Sequence, residues 1–209
     1  MALSDLFTNL HIWVRWLHVL AGILWIGHLY FFDFVTVPLQ RSLDDQERNS
    51  VHPTLMLRAL WWLRWAAVMT LAFGLILLVM TYFYIPGQGF GPTGMFLDGP
   101  TISDRAIWIF FGMAVAVVMF FNVWFVVEPA QKRLLLPGKA SPEEIPFIRR
   151  RAFRALRTAT FLSGPMLFGM LAPSHYGAIN PTTLMLAVGG GLLIIWCAIK
   201  CSSSVNTSR

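Results

Sequence analysis

The chain has 209 residues, 56% of them hydrophobic and only 12% charged, with a formal net charge of +6 and a mean hydropathy of +0.63. That balance excludes a soluble globular core and fits an all-α, polytopic transmembrane helix bundle. The positive charge is confined to a few segments and no recognised motif accompanies it, so nucleic acid is not expected as a partner.

Charge-free stretches at 16–32, 65–97, 106–127 and 158–199 predict five membrane helices, at roughly 10–37, 60–85, 106–128, 156–173 and 181–200. They form one transmembrane domain over 1–201, followed by a polar, disordered tail over 202–209. The first apolar run begins after Asp5 and meets no small-residue cleavage site, so it reads as a retained helix.

The first helix places His18 and His28 in an apolar frame, with His11 near its start and Asp33 near its end. Ionisable groups at membrane depth are costly and default to functional candidates. Histidine is also the commonest protein ligand for metals and haem. Ten residues separate His18 from His28, about 15 Å along a helix and about 80° around it, so one haem cannot take both as axial ligands. Each is a candidate haem or metal ligand. A chlorophyll-type ligand and a plain interhelical hydrogen bond are the other readings. His11 lies seven residues before His18 on the same face, and His175 closes the fourth helix on the same side of the membrane. A site joining His18 to either is geometrically available. Arg15, one turn before His18, snorkels outward or neutralises a propionate or anionic substrate. Asp33 is a proton-relay group or the partner of a base such as Arg58 or Arg64.

The second helix opens Arg58-Ala-Leu-Trp61-Trp62-Leu-Arg64-Trp65, an interfacial belt of aromatics and arginines. The loop at 86–100, rich in Gly and Pro, is expected to be irregular and to pack on the membrane or a partner. In the third helix Asn122 must find a hydrogen-bond partner, and Glu128 is expected to pair with a nearby Lys or Arg. Gln131 follows one turn later. In the next loop, Ser141 resembles a helix cap, but Pro146 allows a start there instead. Pro165 kinks the fourth helix, where Thr160 and Ser163 can satisfy the freed carbonyl. A turn is predicted over 173–181. Gly189, Gly190 and Gly191 let the last helix approach a neighbour. Cys197 and Cys201, on adjacent turns, read as small apolar residues.

Basic residues mark alternate loops. Arg41, Arg48, Arg58 and Arg64 flank the first, and Lys132, Arg133, Lys139, Arg149, Arg150, Arg151, Arg154 and Arg157 fill the third. The positive-inside rule then predicts an outside N-terminus and a cytoplasmic C-terminus in a bacterial inner membrane, with the basic loop also touching anionic lipid. No hydrolase, kinase or nucleotide-binding signature is present. From spacing alone the reading stops at a membrane protein with intramembrane histidines.

Several blocks of the chain occur together in one family. They are 16–28 with Phe31, Phe32 and Phe34, then 58–65, 122–132, Arg151-Ala-Phe153, and 157–168 with Ser174-His175-Tyr176. In this set and order the chain resembles the N-terminal membrane domain of the bacterial membrane-bound urate hydroxylase (urate oxidase) family. That family joins the domain to a C-terminal cytochrome c, which implies urate oxidation coupled to electron transfer. This chain stops after five helices without the cytochrome, so the resemblance implies a b-type haem protein passing electrons to a separate cytochrome c or quinone. The alternative is a non-catalytic accessory, or haem- or chlorophyll-binding, subunit of a larger respiratory or photosynthetic complex. The resemblance carries over His18, His28 and His175 as functional positions, with Arg64, Asn122 and Gln131 behind them.

Overall fold

The computed structural model describes residues 3–42 and 52–205. It is an all-α bundle. Helix α1 (Leu3–Tyr30) passes through a π-helical turn, Phe31–Thr36, into α2 (Val37–Ser42). Helix α3 (His52–Leu78) ends in a second π turn, Val79–Phe83. Helix α4 (Asp104–Asn122) continues through a third, Val123–Val127, into α5 (Glu128–Leu135). Helices α6 (Ile145–His175) and α7 (Pro181–Ser204) complete the described chain. The stretches Asp5–Leu39, Pro53–Phe83, Asp104–Leu135 and Pro181–Ser204 are long and apolar enough to cross a membrane.

Two of the π turns have a sequence cause. Pro38 and Pro129 each follow one closely, lack a backbone N–H and clash with the carbonyl four residues back. The helix widens instead: Val37 N–H donates to Phe32 and Glu128 N–H to Val123, each five residues back.

Helix α6 is the hub, packed against α4, α7 and α5, while α1 packs along α3. Its inward face is small or polar: Ala152, Ala155, Ala159, Thr160, Ser163, Gly169 and Ala172 are buried. A helix facing other helices needs small residues for close approach more than it needs apolarity. Two crossings depend on this. A Cβ on Gly169 would lie 2.8 Å from Gly112 Cα, and one on Gly191 would lie 2.7 Å from Pro165 N. Of the three glycines expected to admit a neighbour, Gly191 does so, whereas Gly189 and Gly190 have nothing within 4 Å. The main core joins Trp25, Leu29, Leu60, Leu63, Met119, Val123 and Leu156.

The structure corrects several details. The loop expected to be irregular folds into two hairpins, β1 (Tyr84–Ile85) with β2 (Gly89–Phe90) and β3 (Leu97–Asp98) with β4 (Thr101–Ile102). Gly99, at φ +59°, supplies the left-handed turn of the second. The predicted loop helix and fourth span are one helix starting at Ile145; Ser141 instead gives its N–H to Glu144. Pro173 lies inside that helix, so the turn shrinks to the residues before Asn180, which caps α7 reciprocally with Thr183. Neither Thr160 nor Ser163 serves the carbonyl of Phe161 that Pro165 frees. Their hydroxyls donate to Leu156 and Thr160. Helix α7 extends through Ser204 where the tail was expected from 202. Arg48 and residues 206–209 lie outside the described residues.

Candidate functional site

Three histidines of α1 point in different directions. His18 is half-buried against α3, with Nδ1 2.9 Å from the backbone oxygen of Thr70. A carbonyl only accepts, so Nδ1 carries the proton and Nε2 keeps its lone pair. The site is built from small parts of α3. Thr70 turns its hydroxyl back to Ala66 at 2.7 Å, leaving its carbonyl edge to the imidazole. Gly74 lies one turn on, where a Cβ would meet His18 Cε1 at 3.0 Å. Only glycine leaves the ring that space.

His11 uses Nε2 instead, 3.0 Å from Thr81 Oγ1. Both residues therefore tie α1 to the same neighbour, the interhelical role that was one of the open readings. His28 donates Nδ1–H to Leu24 on its own helix at 2.7 Å, on the bundle surface. Its Nε2 is left free as well. Neither residue supplies His18 with a second axial nitrogen, because His11 is committed to Thr81 and His28 lies about 15 Å along the helix. His175 is exposed in the last turn of α6 and makes no bonding contact with the other histidines. Among the described residues no three His, Cys, Asp or Glu side chains converge. Arg15 is exposed on α1, one turn from His18.

The charged candidates gather at the opposite end of the bundle, next to the basic loop. Asp33 sits in the first π turn with its side chain fully buried, and its ion partner is Arg157 at 3.1 Å. This corrects the expected partners Arg58 and Arg64. Arg64 is instead held by Glu128 at 2.9 Å, and Lys132 reaches the same oxygen at 2.6 Å. The Arg64 guanidinium also lies 4.5 Å from the centroid of Trp124. The pairing expected of Glu128 thus forms, with both a Lys and an Arg. Asn122 finds its partner in the backbone, donating to Ala155 O at 2.7 Å. Gln131 is half-buried on α5, one turn past Glu128.

Sequence reading missed Tyr30. Its hydroxyl lies 2.8 Å from Ser163 Oγ, which donates to Thr160 O at 2.6 Å, so Tyr30 is the donor to Ser163. Its place two residues after His28 and three before Asp33 was the available signal.

The arrangement offers single imidazole nitrogens at two depths, each with its tautomer set by a carbonyl. That donor chemistry fits one axial ligand of a haem at His18 and does not fit a centre joining His18 to His28. A family model described as urate oxidase N-terminal matches residues 94–203, just over half of the chain. The matched span holds Asn122, Glu128, Gln131, Arg157 and His175; α1 and α3 precede it. No curated protein and no solved structure matches the chain.

Proposed function

This chain belongs to the urate oxidase N-terminal family, and from that premise we propose that it is a membrane redox protein in which His18 holds a b-type haem and electrons pass to a cytochrome c or a quinone. The observation that carries the reading is the Nδ1–H of His18 donating to Thr70 O, which leaves Nε2 as the ligand atom. When bound, the haem supplies one-electron transfer. The chain's own residues orient the ligand: Thr70 fixes the tautomer and raises the basicity of the ring, and Gly74 leaves it room. Arg15 offers a cation to a propionate. The basic end, with Arg149, Arg150, Arg151 and Arg154, faces the cytoplasm of a bacterial inner membrane.

A second reading is favoured by His28. Its free Nε2 lies at the bundle surface, where a haem or chlorophyll shared with a neighbouring subunit would be ligated in an accessory role within a larger respiratory or photosynthetic complex.

The test is a reduced-minus-oxidised spectrum of the detergent-purified protein with a pyridine haemochrome, followed by addition of urate. A b-type signal near one haem per chain, reduced by urate, is the expected result. Protein that is haem-free as isolated, with pigments or large subunits co-eluting, would overturn the redox reading in favour of the accessory one.

A further inference from the structure

The Asp33–Arg157 pair is built unlike the Arg64–Glu128–Lys132 cluster at the same end of the bundle. Glu128 accepts a hydrogen bond from Arg64 and meets Lys132. Asp33 is buried more deeply, 2% exposed against 7%. Yet neither of its oxygens accepts a hydrogen bond from a described residue, and Arg157 Nε is buried without an acceptor too. The one charged contact between them is the ion pair. The Thr160 hydroxyl lies beside the carboxylate, but its proton goes to Leu156 O at 3.1 Å. A carboxylate offers about four acceptor positions, and buried polar atoms left without partners point to water.

There is room for water. A cavity of about 30 Å³ adjoins the pair, bounded by Asp33, Phe34, Pro38, Arg157, Ile199 and Ser202. That volume holds about two waters. The lining also includes Ser203, which is exposed, so the cavity runs from a fully buried carboxylate to the surface at the basic end. Its wall is a built feature. Pro38 cannot donate to the Phe34 carbonyl, and Ser202 of α7 donates there instead at 2.5 Å. The π turn, the end of α7 and Arg157 are thereby held around the same small space.

We propose that Asp33 is a proton-exchange site fed by water from the basic end. On uptake, an O–H bond of a hydronium in the cavity breaks and a carboxyl O–H bond forms on Asp33, leaving a neutral water; release reverses both changes, and no electron moves. Arg157 keeps its proton throughout. The charged groups around the pair are otherwise occupied. From α3 and α5, Arg64, Glu128 and Lys132 satisfy one another. From α7, Lys200 lies over Trp196. His28, on α1, is turned to Leu24. Among the described residues, Arg157 on α6 is thus the charge paired with Asp33. This site does not depend on haem at His18 and stands or falls separately.

Infrared difference spectra of the purified wild-type protein, taken between alkaline and acid pH in H2O and D2O, test it. A protonated-carboxyl band should appear on acidification and shift promptly in D2O. It should be lost in Asp33→Asn, and its exchange should slow several-fold in Ser203→Phe, which plugs the opening. If Asp33→Asn does not fold, Asp33→Glu, which keeps a carboxyl at the site, should shift the band in frequency without removing it, and a band unmoved in that variant would overturn the proposal. An Asp33 that stays ionised wherever the protein is folded, or a band that takes up no deuterium over hours, would overturn the proposal and leave a structural ion pair.

Discussion

Glu128 carries two cations on one carboxylate oxygen while being only 7% exposed. Removing its charge leaves Arg64 and Lys132 facing each other beside Trp124. Glu128→Gln should therefore destabilise the bundle by about 2 kcal/mol, below the cost for a fully buried pair because both cations reach solvent. Thermal unfolding in detergent measures it, and Lys132→Ala, which leaves the Arg64 bond in place, should cost much less. Glu144 belongs to the water-exposed loop and answers to pH. The Ser141 N–H, and then Arg133, hold its carboxylate below the ordinary value of 4.5. A depressed folded pKa means the charged form stabilises the loop at neutral pH, and that contribution is lost as pH falls from the unfolded value through the lower folded one. Hydrogen exchange at the Ser141 amide should accordingly keep its protection down to a pH below the ordinary carboxylate value and lose it as Glu144 is protonated, and Glu144→Gln should remove the protection at neutral pH as well.

At the scale of the helices, approach is set by glycine pairs. Gly191→Ala forces a Cβ into Pro165 N at 2.7 Å and should cost about 2 kcal/mol or more through overpacking. Gly189→Ala meets open space and should stabilise α7 by about 0.5 to 1 kcal/mol, since alanine is the better helix former. Melting temperatures of the two variants should move in opposite directions. The sequence shows three consecutive glycines and cannot say which one faces a neighbour, because that depends on the rotation of α7 about its axis. Four of the five expected spans were legible for the opposite reason, because an apolar run long enough to cross a bilayer announces itself without a partner; the fourth, within α6, is not long and apolar enough by that measure, since its start is rich in arginine and its inner face is small or polar. Glu128 with Lys132 was legible too, being four apart on one helix. Asp33 with Arg157 was not. It joins the first helix to the hub, and although Pro38 sets the π turn, which base meets Asp33 depends on how α6 packs against it. His18 was legible as a candidate, but its free nitrogen follows from Thr70 and Gly74 on another helix, which no local pattern reports.

For the whole molecule, the hairpins and the basic loop lie at opposite ends of the bundle. In a background with Cys197 and Cys201 replaced by alanine, a membrane-impermeant maleimide should label Gln88→Cys in intact spheroplasts. It should label Ser141→Cys only in inverted vesicles. The reverse pattern would invert the proposed orientation and move the Asp33 cavity to the outer face. The account's central claim concerns His18, and the most direct measurement is the haem content and reduced-minus-oxidised spectrum of His18→Ala beside His28→Ala, both compared with wild type. The account predicts a b-type signal in wild type that is lost in His18→Ala and kept in His28→Ala. A signal that survives His18→Ala and disappears in His28→Ala would contradict it and place the cofactor at the bundle surface.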